Sequence, residues 1–335
     1  MGIVKKISSK LWYKYKLLKR DVRYILGLDE NFYTNARGSR ILIYHGICQR
    51  DHTRFNPIFL TQQLFEQHLQ LYKKYCNVVS LDDYYAGNFS ADKFNICLTF
   101  DDGFANNHKY VLPLLERYQM PATFFITGIA NDGQDILWND FLGIVSKFGP
   151  QQITYNGRQY YKGLYDHYTS AINHITLKDE LRNLGFEQKT DMMQKLYPLV
   201  PFKKDAEQTD YWLQMTPQQI KELSASPYAS IGAHGYYHND LTRINPADAF
   251  EEMVRVKQYL ENLTSKPATS LAFPYGSYDA DVINLAKKAG YYQLLAMDFN
   301  TPTDAQDDTL RERLTVNPFI SPVNQLYATI TCKYD

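Results

Sequence analysis

Short apolar runs alternate with helical patterns along most of this chain, and that alternation constrains the fold more than any other feature. Residues 39–47, 78–79, 94–98, 122–126, 230–233, 269–273, 292–297 and 314–316 have the length and side-chain types of buried strands. Between them, residues 60–75, 107–118, 246–263 and 281–289 repeat apolar side chains at helical spacing. Asn245 suits an N-cap before the third of these helices, and Gly290 ends the fourth. Strands separated by helices predict a parallel sheet or barrel, with its chemistry at the carboxyl ends of the strands.

Two regions depart from the alternation. Residues from about 130 to 215 are rich in Gln, Tyr, Lys and Asp, with only short helical runs. They are expected to form an insertion, as a lid or part of a substrate groove. At the other break, residues 1–28 place Val4, Ile7, Leu11, Tyr15, Leu18, Val22 and Ile25 on one stripe. Lysines and arginines fill much of the rest. Either this helix docks on the domain with a solvated basic face, or it lies on an anionic membrane surface with Trp12 near the headgroups.

Bulk composition narrows the classes. The chain has 335 residues, 44% hydrophobic and 21% charged, so a packed core is expected. A formal net charge of zero argues against nucleic acid as a partner. No run of about 18 apolar residues is present, and the N-terminus lacks the apolar core of a secretory signal. The four cysteines match neither a zinc ribbon nor a disulfide framework. A cytoplasmic location, peripheral on the inner membrane face, is the expectation.

The chemistry centres on Thr99-Phe100-Asp101-Asp102-Gly103, which follows the run at 94–98. Adjacent carboxylates at the end of a core strand repel each other and are costly to bury, so a cation is expected nearby. His234 and His238 are candidate partners, since one helical turn would align both rings. A carboxylate with two imidazoles suits zinc or a similar divalent ion. The second aspartate would then be free to act as a base. His45 ends the first strand on the same expected rim, as a third ligand, a general acid or a core histidine. His52, His68, His108, His167 and His174 are expected to be structural or solvated.

Thr-Phe-Asp-Asp-Gly, His234-x-x-x-His238 and Phe273-Pro274-Tyr275-Gly276, in this order, resemble the polysaccharide deacetylases of carbohydrate esterase family four, the NodB-homology domains. Tyr44-His45-Gly46-Ile47, with no histidine in 291–335, is similar to the permuted poly-N-acetylglucosamine deacetylase type. The resemblance covers about 39–320 and implies an α/β fold, a distorted (β/α) barrel with fewer than eight full repeats. It divides the chain into an N-terminal helix, 1–38, and a catalytic domain, 39–335. It implies Asp101 as general base, His45 as general acid, Asp102, His234 and His238 as metal ligands, and Pro274, Tyr275 and Gly276 as substrate wall. The Tyr275 backbone N–H would help hold the oxyanion. The cofactor would be zinc, with cobalt or nickel as alternatives, and the substrate an N-acetylated polysaccharide or lipid-linked oligosaccharide.

Three positions depart from the family pattern. A hydroxyl residue is replaced by Gly235, an arginine that would orient the base by Ala272, and a late Asp-x-x-Asp-Trp motif shrinks to Asp298-Phe299. Arg313 is a candidate substitute for the missing arginine. Competing functions are an O-acetyl glycan esterase, a glycan-binding protein whose catalysis has decayed, and a membrane scaffold using the basic helix.

Overall fold

The computed structural model describes residues 2–163 and 166–334, with side chains from residue 10 onward except 206 and 207. The Val4, Lys5, Lys6 and Ile7 side chains of the N-terminal pattern therefore lie outside the described residues. One parallel sheet organises the chain. Its strands are β1 (Ser39–Tyr44), β2 (Cys76–Val79), β3 (Phe94–Phe100), β4 (Ala122–Ile126), β5 (Ala229–Ala233), β6 (Ser270–Ala272), β7 (Gln293–Leu295), β8 (Leu310–Arg311) and β9 (Leu314–Thr315). The order is β8-β7-β6-β5-β4-β3-β1-β9, with β2 paired to the first half of β3. Only Glu312 and Arg313 separate β8 from β9 in sequence, yet these strands stand at opposite ends of that order. The sheet must curl until its two edges nearly meet, which gives the distorted (β/α) barrel expected from the sequence.

Register places the chemistry. Ser39–Tyr44 pairs with Asn95–Phe100, and the Asp101 N–H donates to the Tyr44 carbonyl at 2.9 Å. Ala233 pairs with Ile126, and the His234 N–H donates to the Ile126 carbonyl at 3.0 Å. His45, Asp101 and His234 are thus each the first residue past a strand, on one rim. All seven residues of β3 are buried. Both of its faces pack, as a continuous apolar run in a parallel sheet requires.

Several boundaries differ from the sequence expectation. The run at 39–47 leaves the sheet at Tyr44, and Ile47–Cys48 pairs instead with Leu60–Thr61. Gly46 passes under Phe59 so closely that a Cβ would sit 2.3 Å from the ring. The helix at 107–118 opens with a π turn at Asn107–Val111 before the α-helix Leu112–Tyr118. Pro113 has no N–H, so regular i→i−4 bonding is interrupted there.

The insertion is more ordered than its composition suggested. It holds helices Trp138–Phe148 and Phe186–Leu196 and an antiparallel sheet of Gln152–Tyr155, Arg158–Lys162 and Tyr168–Ser170. Its core includes Trp138, Val145, Tyr160, Tyr168, Met192 and Leu196. A signal for the hairpin was available: Asn156-Gly157, both at positive φ, is the two-residue turn that right-twisted strands favour.

The helix Gly2–Ile25 packs against the helix Pro322–Thr331. Among the described residues, no helix is long and apolar enough to cross a membrane. Cys48, Cys76, Cys97 and Cys332 are free thiols, the first three buried.

Candidate active site

A cavity of about 380 Å3 opens on the strand rim. His45, Asp101, Asp102, His234, His238 and Tyr275 line its barrel side. Asn139, Asp140, His167 and Lys178 come to it from the insertion. Pro274 is buried beside this wall, and Gly276 lines it.

Asp102, His234 and His238 converge as one group. Their ligand atoms all lie within 4.8 Å of one another. The Nε2 atoms of His234 and His238 stand 3.3 and 3.2 Å from Asp102 Oδ1. His234 Nδ1 is 2.8 Å from the Ala272 carbonyl, which can only accept, so Nδ1 carries the proton. That leaves the Nε2 lone pair directed at the cluster, the arrangement in which a backbone carbonyl fixes a ligating imidazole. His238 Nδ1 is buried without a partner among the described residues. Burial drives the Asp102 pKa up, but the two imidazoles packed against its carboxylate overcome this and hold it well below the usual range. The donor set fits a divalent ion.

Three residues of the site hold left-handed backbone. Asp102, His238 and Tyr275 have φ of +77°, +54° and +61°. Left-handed backbone at non-glycine residues costs on the order of 1–3 kcal/mol each and persists where surroundings over-determine it. No helical turn aligns the two histidines: 234–240 is an irregular loop after β5, which corrects the expected one-turn spacing. Gly235 sits at φ +68°, and a Cβ there would lie 3.2 Å from Pro274. Any side chain, hydroxyl-bearing or not, would be strained at that point.

Buried charges hold the loop instead. Glu252 accepts from the Tyr236 and Tyr237 N–H groups, both at 3.2 Å, and from Asn239 Nδ2 at 2.5 Å. Asn239 Oδ1 accepts from the Lys189 ammonium, and Trp138 Nε1 donates to the His238 carbonyl at 3.1 Å. Lys189 is fully buried, 4.6 Å from the Trp138 ring centroid. Burial lowers its pKa to about 8, with Glu252 opposing.

Asp101 has its own partner. Arg313 grips it with two parallel bonds, both 2.8 Å, and also donates to Thr99 Oγ1 and the Ala296 carbonyl. Burial raises the Asp101 pKa, but the guanidinium and His234 outweigh it and the net direction is down. Arg313 enters from the seam between β8 and β9 and gives Asp101 the guanidinium contact that Ala272 cannot make.

His45 is half-buried at the end of β1. Burial lowers its pKa, opposed by Asp102 and Asp101. The Tyr275 ring packs 4.7 Å from His238 and 4.5 Å from the Arg182 guanidinium carbon, with its hydroxyl unpartnered among the described residues. Arg182 also pairs with the buried Asp240.

His68 is a buried partner of Tyr44 and His108 pairs with Glu222. His167, expected to be structural or solvated, lies exposed at the cavity edge. Sequence reasoning missed Trp138, Asp140, Lys178, Lys189 and Glu252. A usable signal existed for two of them. Lys189 is in step with the buried Met192, Met193 and Leu196, and Glu252 with Ala249, Val256 and Leu260. A charge on an apolar stripe marks a buried partner.

Fold and site together define a barrel hydrolase with a carboxylate–imidazole ligand set. The chain carries a polysaccharide deacetylase domain: the model of the family described as "Polysaccharide deacetylase" matches residues 90–154 and 205–294. YxkH of Bacillus subtilis (strain 168), assigned to the polysaccharide deacetylases by name only, is 26% identical over 107 residues. That match takes in 32% of this chain and 38% of YxkH. The fold is similar to that of the Streptococcus pyogenes deacetylase PplD, solved with acetate, at TM-score 0.53 and 19% identity. That alignment covers 87% of this chain and 97% of PplD. IcaB from Ammonifex degensii aligns at TM-score 0.52 and 18% identity, over 88% and 98% of the two chains.

Proposed function

We propose that this protein removes N-acetyl groups from amino sugars of a polysaccharide or lipid-linked oligosaccharide, using a divalent ion, zinc first and cobalt or nickel as alternatives. The observation that carries the proposal is the arginine-clamped Asp101 beside the Asp102–His234–His238 cluster in one cavity.

Asp102, His234 and His238 would hold the ion, which when bound supplies Lewis acidity toward the acetyl group. Asp101 takes the proton of the attacking water. Arg313 keeps that carboxylate ionised and fixes its plane, as a bidentate pair does. The Tyr275 N–H is assigned to the developing oxyanion. His45 delivers the proton that the amine needs on leaving. Because burial lowers the His45 pKa, its acid form is the minor one near neutral pH, and turnover should fall as pH rises.

Acetate release from N-acetylglucosamine oligomers, measured with each metal, tests the reading. No release with any metal, against a working control enzyme, would defeat it. Faster release from an O-acetylated version of the same glycan would move the assignment to an esterase. The place of action belongs to the same proposal: the cytoplasm, with peripheral contact to the inner face of a membrane through residues 1–28. Cell fractionation before and after a high-salt wash tests that.

A further inference from the structure

An amphipathic helix on a soluble domain normally turns its apolar stripe inward. The N-terminal helix does the reverse. Its inward face carries Leu17, Arg20, Asp21 and Tyr24. Arg20 donates to Asn324 at 2.6 Å and lies 3.5 Å over the Tyr327 ring. Asp21 accepts from Ser321 at 2.5 Å and Asn324 at 2.9 Å. Half a turn round, Leu11, Tyr15, Leu18, Val22 and Ile25 face outward. Leu11, Leu18 and Ile25 are 64%, 63% and 80% exposed, and Trp12, at the margin of the stripe, is 59% exposed.

At 100° per residue, Lys10 and Lys14 fall on one flank of this stripe and Lys19 and Arg23 on the other. Lys10, Lys14 and Lys19 are exposed, and none is in an ion pair among the described residues. We infer that this outward face is a docking surface for an anionic lipid bilayer, the stripe entering the acyl boundary and the flanking lysines meeting phosphates. The layering matches: hydrocarbon at the centre, cations at both margins, an indole where the headgroups begin. A second copy fits poorly, because pairing two such faces would oppose lysine to lysine. The inference deepens the membrane contact proposed above and is independent of the acetyl chemistry.

Sedimentation of the full-length protein with vesicles tests it, comparing phosphatidylcholine alone with phosphatidylcholine containing phosphatidylglycerol. Binding is expected with phosphatidylglycerol, weaker without it, and weakened by salt. The double variant Leu18→Glu/Val22→Glu should lose it. The triple variant Lys10→Glu/Lys14→Glu/Lys19→Glu should lose about fivefold per lysine. All these positions are exposed, and circular dichroism with thermal unfolding confirms that each variant is folded. Wild-type protein that fails to sediment with phosphatidylglycerol, or a Leu18→Glu/Val22→Glu protein that still does, overturns the inference. So does lipid-free self-association abolished by the same double variant, which would make the face a contact between copies. Acetate release from a soluble oligomer should be unchanged in both variants. If the wild type releases none, the deacetylase proposal fails while the vesicle result still decides this one.

Discussion

The barrel and the insertion each bury a cation in support of the same site, and they partner it differently. From the barrel seam, Arg313 meets Asp101 directly through two parallel bonds. From the insertion, Lys189 meets a neutral amide and an indole face, and its carboxylate, Glu252, stands one residue further on. Direct charge pairing fixes the ionisation of Asp101 firmly. The relayed arrangement leaves Lys189 with a pKa near 8, within a range a cell or an assay can reach. Both cations act on residues they do not chemically resemble: one on the proposed base, the other on the loop that carries two proposed ligands. The lesson is that a part outside the family match, residues 155–204, is built into the support of the matched part.

The largest expected effect sits on the barrel side. Asp101→Asn should cut acetate release by about a thousandfold while leaving metal content unchanged, since proton transfer to a positioned base is worth roughly 10²–10⁴. Residual turnover near wild type would remove the base from the comparison. Arg313→Met should come next, because it strands a buried carboxylate. A loss of about 3–5 kcal/mol in unfolding free energy is expected, with a rise in the apparent pKa governing turnover. Stability unchanged by urea titration would mean that the ion pair is replaceable.

Lys189→Met should act through the loop. Zinc affinity by calorimetry should drop about 10–100-fold, the scale seen when groups supporting metal ligands are removed. Lys189→Arg should recover part of it. Equal affinity in all three proteins would show that the insertion merely covers the cavity. The same residue carries a pH signature. Its folded pKa lies below its ordinary 10.5, so between about 8 and 10.5 the unfolded chain holds a proton that the folded one has lost. The penalty of burying the ammonium is complete below pH 8 and relieved as pH rises. Wild type should therefore gain stability relative to Lys189→Met between pH 8 and 10, and a flat difference would contradict the assignment. Smallest of all should be Tyr275→Phe. Its buried hydroxyl has no partner among the described residues, so removal should leave the melting temperature unchanged or slightly raised. A marked fall in the melting temperature would show that the hydroxyl is bonded after all.

Much of this was legible in the chain. The apolar runs gave the parallel strands because burial on both faces leaves no other pattern. Each strand's last apolar residue then located His45, Asp101 and His234 on one rim. Metal-type residues and their order were visible too. The aspect that misled was local geometry, since His-x-x-x-His invites a helical turn and the chain builds an irregular loop.

Sequence alone determined which residue types stand at the strand ends, because strand periodicity is local and needs no knowledge of the partner strand. It did not determine that β8 and β9 would close opposite edges and deliver Arg313 to Asp101, 212 positions away. It did not determine which face of the N-terminal helix would turn outward. Those outcomes depend on contacts between segments far apart in sequence, where the cost of burying a charge is met only once the whole barrel has curled.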